Sequence, residues 1–281
     1  MILVWKMYFS PNGTTELEPI RMVPAPKTLN SASMQLPSGV YTTFRTYSGN
    51  QILPLIDHVH RLNESALLTG NRIEIQHKAL RDGLRAAIRD FTEGDTRIRI
   101  TLDLEQNPGD VYLALEPLQT PSHEDYIQGV KTITYAYQRQ NPRAKKTSII
   151  RVAENLHHKL PGVYESLLLD DQGQILEGMS SNFFGVVEGQ IRTAGESILS
   201  GITRALVLDA AEILGIPVRF KAISKADVPG LEEAFLTSSS RSVLPIRQID
   251  EIIIGKGKPG PVTQALIEAY WQAIERRLEE L

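Results

Sequence analysis

From Glu177 to Arg204 the chain reads E-G-M-S-S-N-F-F-G-V-V-E-G-Q-I-R-T-A-G-E-S-I-L-S-G-I-T-R. It places an acid, Glu177, at a strand end and follows it with two short apolar runs split by Glu188-Gly189. Gly201-Ile202-Thr203-Arg204 then opens a helical pattern of apolar residues at Ala205, Leu206, Leu208, Ala211, Ile213 and Leu214. The N–H groups of a helix's first turn have no partner within the helix and sit at the positive end of its dipole. With the Thr203 hydroxyl beside them, they suit a phosphate. An acid, a hairpin and a phosphate cradle make the floor of a site for a phosphorylated cofactor. Spacing alone also admits a hairpin, a capped helix and a surface glutamate.

The pattern E-G-x-S-S-N-F-F followed by L-x-G-I-T-R resembles the signature of the class IV (fold type IV) pyridoxal-phosphate enzymes. These include branched-chain and D-amino-acid aminotransferases and aminodeoxychorismate lyase. Weaker echoes extend the resemblance from about Gly39 onward. It implies an α/β chain with α+β character in two domains, the cofactor between them, and a homodimer whose partner chain helps close the site.

The resemblance also assigns roles. Pyridoxal 5'-phosphate needs a lysine for its aldehyde, an acid for its pyridine nitrogen, a phosphate cradle and a substrate wall. Pro142-x-Ala144-Lys145-x-Thr147 matches the lysine's place and implies Lys145, with its neighbour Lys146 the alternative, because adjacent residues of an extended segment face opposite sides. Glu177 matches the acid. The phosphate falls to Arg61, in His58-Val59-His60-Arg61-Leu62-x-x-Ser65, to Ile202 and Thr203, and to Ser239 in Phe235-Leu236-Thr237-Ser238-Ser239-Ser240. There Ser238 stands where the family has glycine. On the substrate wall, Tyr41-Thr42-Thr43-Phe44-Arg45 carries Thr42 in place of the aminotransferases' usual acid, and Tyr41 and Arg45 are candidate substrate residues. Arg97 and Arg99 share one strand face opposite Ile98 and Ile100, and either could meet a carboxylate. Taken singly, the lysines also read as a solvated loop, Arg61 as a helix-surface arginine, and Arg97 and Arg99 as exposed arginines on an edge strand.

The implied function is transfer of an amino group between an amino acid and a 2-oxo acid. Tyr41-Thr42-Thr43-x-Arg45 keeps aminodeoxychorismate lyase as the alternative, and a non-catalytic binding protein that kept the fold is a third reading.

The elements that must position these residues follow from periodicity. Residues 1–10 read as a strand and 11–38 as irregular. Tyr41 to Tyr47 alternates as a strand, with Gln51 to Ile56 as its hairpin partner. Asp57 caps a helix from His58 to Leu68, and Lys78 to Phe91 forms a second helix. Arg97 to Leu104 and Val111 to Leu115 are strands. A Pro-rich linker at about 117–125 separates a small domain, 1–118, from a larger cofactor-binding one, 125–281. There, strands are expected at Gly129–Tyr137, Leu167–Leu169, Val218–Lys221, Ala234–Thr237 and Ile252–Ile254. Helices are expected at Val152–Leu160, from Gly201 to about Gly215, and from about Pro261 to Glu279.

Composition narrows the class. The chain has 281 residues, is 42% hydrophobic and 22% charged, and carries a net charge of -3. That is ample for a core, and without a long basic run it argues against nucleic acid as the main partner. Zero cysteines exclude disulfides and thiolate metal sites, and none of the six histidines lies in H-E-x-x-H. The apolar start, Met1 to Phe9, is short and interrupted by Lys6, unlike a signal peptide or membrane span. A cytoplasmic enzyme without a metal is the expectation.

Overall fold

The computed structural model describes residues 1–10, 15–91, 94–157 and 162–281. The chain forms two compact units. Unit 1 is Met1–Gln119, Ala144–Glu154 and Arg277–Leu281; unit 2 is Thr120–Arg143 and Asn155–Arg276. The first crossing falls within the expected linker, but the lysine segment returns to unit 1, which a single boundary does not describe.

Unit 1 contains β1 (Leu3–Phe9), β2 (Thr15–Pro19), α1 (Leu29–Ser33), β3 (Gly39–Arg45), β4 (Gln51–Ile52), α2 (Leu55–Leu68), α3 (His77–Arg89), β5 (Thr96–Asp103) and β6 (Val111–Pro117). Its antiparallel sheet runs β2-β1-β6-β5-β3. Strand alternation divides its faces. Phe44, Ile98, Ile100, Leu113 and Leu115 join Leu55, Val59 and Leu62 of α2 and Leu80 and Leu84 of α3 in one core. On the other side, Val4 and Ala114 pack with Leu29 and Ala32 of α1. The stretch read as irregular, 11–38, therefore holds β2 and α1, while residues 11–14 lie outside the described ones. Gln51–Ile52 does not form the expected long hairpin arm. It pairs with Glu279–Glu280, and only the bridge Tyr47↔Gln51 links it back. α2 starts at Leu55 rather than after Asp57, because the Glu279 carboxylate accepts the Leu55 N–H at 3.0 Å and serves as its cap.

The chain adds a short extended segment to the free edge of β3. Tyr41 N–H donates to Lys145 O at 2.9 Å, Thr147 N–H donates to Gly39 O at 2.9 Å, and Gly39 N–H donates to Thr147 Oγ1 at 3.0 Å. Gly39 is required there, since a Cβ would lie 1.9 Å from the Leu102 carbonyl oxygen.

Unit 2 contains α4 (His123–Gln128), β7 (Val130–Ala136), α5 (Ser148–His157, through Glu154 in unit 1), β8 (Glu165–Leu169), β9 (Gln174–Gly178), β10 (Asn182–Val187) and β11 (Gln190–Thr193). It continues with α6 (Ile202–Ile213), β12 (Val218–Phe220), β13 (Ile223–Ser224), β14 (Glu233–Ser238), β15 (Ser242–Ile249), β16 (Ile252–Ile253) and α7 (Pro261–Arg277). α5 ends at His157, and residues 158–160 of the helix expected there lie outside the described ones. α4 caps itself within the expected linker through Ser122, which accepts from Asp125 N–H.

The sheet follows β12-β11-β10-β14-β15-β7-β8-β9-β13, and a further pairing of β9 with β10 at Glu177↔Asn182 closes six of these strands into a ring. Phe183 enters one core with Leu167, Ile175, Leu236 and Leu244, while Phe184 stacks on Phe235 at 4.9 Å. The hairpin turn Glu188-Gly189 takes φ of 52° and 68°, the sense that matches strand twist, and the Glu232 carboxylate accepts both N–H groups.

One buried ion pair fixes the loops of this ring. Glu165, 3% exposed at its side chain, pairs with Arg241 and accepts hydrogen bonds from Ser180 N–H, Ser180 Oγ and Ser181 Oγ. Burial pulls the Arg241 guanidinium down, but the Glu165 carboxylate outweighs it and holds the group above its ordinary value.

Two substitutions test these constraints. Gly39→Ala should cost about 2–3 kcal/mol in urea unfolding because the strand must move away from Leu102; an unchanged midpoint would contradict the contact. Arg241→Leu strands the Glu165 carboxylate and should cost about 3–5 kcal/mol, with Arg241→Lys losing less. Equal stability of Arg241→Leu and the parent chain would mean that the pair is not holding these loops.

Candidate active site

In unit 1, helix periodicity sets His58, Arg61 and Ser65 along one side of α2. Ser65 is 1% exposed, and its Oγ accepts the Lys145 N–H at 3.2 Å. Lys145 is thus held by its backbone between α2 and β3. Its Nζ lies 5.0 Å from the centre of the Tyr41 ring, and the Arg99 guanidinium carbon lies 4.9 Å from the same ring. Lys146, the next residue, forms an isolated bridge with Val40.

Arg61 is half-buried. Burial brings its pKa down to about 10, only partly opposed by Tyr41, Glu64 and Asp57. A guanidinium so displaced gains from a phosphate more than a solvated one would. His58 is 1% exposed, its ring 4.4 Å from Phe44 and its Nδ1 2.9 Å from Thr42 Oγ1. Burial first, then the charges of Arg61 and Lys145, hold it well below the ordinary histidine range. Its Nε2 is buried and has no hydrogen-bond partner.

The arginines expected on a substrate wall have partners within unit 1. Arg99 donates from Nε to Thr43 Oγ1, from Nη1 to Leu29 O and Ser33 Oγ, and from Nη2 to Asn30 Oδ1. Arg97 pairs with Glu116 at 2.9 Å, and Arg45 with Asp95 at 3.0 Å. β5 lies between β6 and β3, so Arg97 and Arg99 are not on an edge strand; they fasten α1 to the sheet.

In unit 2, Glu177 ends β9 beside the ring closure and is 3% exposed. Its Oε2 accepts from Leu199 N–H at 3.1 Å and from Asn182 Nδ2 at 3.4 Å, while Arg139 Nε lies 3.3 Å from Oε1. Asn182 also donates to Leu199 O, and a Cβ on Gly201 would fall 2.2 Å from Asn182 Oδ1. Asn182 and Gly201 therefore bring the acid close to the start of α6. Gly201 is the N-cap, and Ala205 N–H donates to Gly201 O, so Ile202 and Thr203 are first-turn residues. Thr203 Oγ1 is buried without a partner, and so is Ser238 Oγ, in the turn that carries the half-buried Ser239. Ser238 needs no glycine, because the left-handed residue of that turn is Ser242, at φ 56°.

These features fit pyridoxal phosphate. In unit 2 the unpartnered hydroxyls of Thr203 and Ser238 suit phosphate oxygens and the buried Glu177 carboxylate suits a protonated ring nitrogen, while in unit 1 the half-buried Arg61 suits an anion. Sequence reasoning did not assign Arg139, Asn182, Ser65 or the Nε2 of His58. Asn182 and Ser65 lay inside quoted motifs, whereas nothing local marks Arg139. Among the described residues, no cluster of side chains could hold a metal ion, and no helix is long and apolar enough to cross a membrane.

Comparison with known proteins agrees with the geometry. A family model described as amino-transferase class IV matches residues 39–249. A probable branched-chain-amino-acid aminotransferase of Thermotoga maritima is 29% identical over 238 residues, covering 84% of this chain and 86% of that protein. A D-alanine aminotransferase of Bacillus licheniformis is 26% identical over 267 residues, covering 85% and 89%. Among solved structures, a branched-chain amino acid aminotransferase from T.th. with pyridoxamine 5'-phosphate gives a TM-score of 0.77 at 25% identity, covering 99% of this chain and 98% of that one. The chain belongs to the class IV aminotransferases, pyridoxal-phosphate enzymes that move an amino group between an amino acid and a 2-oxo acid.

Proposed function

We propose that Lys145 is the reactive amine of this aminotransferase, with branched-chain L-amino acids as donors and 2-oxoglutarate as acceptor. The observation that carries the lysine assignment is its backbone clamp, which turns the Lys145 amine toward Tyr41 and its neighbours Arg61 and His58. The relatives named as branched-chain aminotransferases support the donor class. A related structure described as complexed with N-(5'-phosphopyridoxyl)-L-glutamate supports the acceptor.

Pyridoxal phosphate, when bound, supplies an aldehyde that takes up the amino group and a ring that draws electrons from the substrate Cα. Glu177 would keep the ring nitrogen protonated, and Arg139 and the Leu199 N–H hold that carboxylate in place. Arg61 of unit 1 and, from unit 2, the N–H groups of Ile202 and Thr203, the Thr203 hydroxyl and Ser239 would hold the phosphate. Lys145 would take the proton from the substrate Cα and carry it through the transfer. Tyr41 faces the substrate, while Arg45, Arg97 and Arg99 hold the framework behind it. The enzyme works as a cytoplasmic homodimer.

Purified protein should show a visible band from its cofactor. L-leucine should bleach that band and 2-oxoglutarate restore it. Lys145→Ala should lose the band and about a thousandfold or more in turnover, while Lys146→Ala keeps both. The reverse pattern would move the reactive amine to Lys146. Bleaching by D-alanine alone would replace the donor class, and a sedimentation velocity run showing only monomer would remove the dimer.

A further inference from the structure

We infer that His58 is a further donor to the cofactor phosphate beside Arg61 in unit 1, its Nε2–H tautomer fixed by the Thr42 hydroxyl. This rests on the reading that Arg61 serves that phosphate. Thr42 and His58 are both buried, at 0% and 1% exposure, and share a hydrogen bond of 2.9 Å at Nδ1. Two tautomers satisfy that contact. If Nδ1–H donated to Thr42, the Thr42 hydroxyl hydrogen would have no acceptor among the described residues. The Nε2 lone pair would also lack a donor. If instead the Thr42 hydroxyl donates to Nδ1, one group alone remains to be satisfied, an N–H at Nε2. A buried donor without a partner costs free energy that an anion returns. The ring stands with Phe44 at its side and one turn of α2 before Arg61, and the two charges that act on it are Arg61 and Lys145. A neutral imidazole is what such a place permits. An imidazolium would be a third cation in the cluster, and Thr42, unlike a carboxylate, cannot offset it. Thr42 thus does two things: it fixes the tautomer and keeps His58 uncharged.

The test uses the full chain prepared without cofactor and inorganic phosphate as the probe, so a wrong donor substrate or a different reactive lysine does not affect it. Isothermal titration should show phosphate binding that weakens about tenfold in His58→Phe and about threefold in Thr42→Val, with the melting temperature monitored for each. Binding of 2-oxoglutarate, the carboxylate source of an oxyanion, should be unchanged. In 15N-histidine-labelled protein at pH 7, His58 should show a protonated Nε2 and a bare Nδ1, and phosphate should shift the Nε2–H resonance. This readout needs no variant to fold. Protonation at Nδ1 instead, phosphate affinity untouched by both substitutions, or weakening of 2-oxoglutarate alone would each overturn the inference.

Discussion

The amide of Lys145 donates to Ser65 on α2 while its carbonyl accepts from Tyr41 on β3, and the next residues continue along that strand through Thr147 and Gly39. The rest of the unit 1 cluster depends on this double attachment. A lysine side chain is long and flexible, and its stem alone would not define where its amine points. Anchoring the backbone on both sides fixes the point from which that stem leaves the chain. The attachment also needs Gly39, since any side chain there would meet the Leu102 carbonyl.

Unit 2 meets a different problem, that of surrounding a buried carboxylate with polar partners. Glu177 lies where β9 pairs with β10, and its oxygens receive a backbone N–H, an asparagine amide and a guanidinium. The ion pair of Glu165 with Arg241 does parallel work, since it fastens Ser180 and Ser181 of the acid's own loop to the segment that follows Ser238–Ser240. Charge inside this unit therefore serves position, with each buried ion supplied with partners before the cofactor adds its own.

Much of this was legible from local signals. Glu188-Gly189 announces a hairpin because few other residue pairs take two positive φ values in a row, and Gly201-Ile202-Thr203 announces a helix start because the cap is written in adjacent residues. Both are where the sequence places them. The features that escaped depend on partners far along the chain. Leu55 begins α2 because Glu279, 224 residues away, takes its N–H, so the local cue at Asp57 misleads by two residues. Arg97 and Arg99 looked like exposed arginines because their alternation with isoleucines suits a half-buried strand. The second face of β5 is instead covered by α1, a five-residue helix in a stretch rich in proline and serine. Arg139 has no motif at all, and only the fold brings it to Glu177.

The central claim is that one lysine, chosen by its backbone attachment, carries the cofactor. Reduction of the cofactor-loaded protein with borohydride, followed by proteolysis and mass spectrometric mapping, tests it directly. The account predicts the phosphopyridoxyl label on Lys145 alone. A label on Lys146, or one divided between the two, would contradict it.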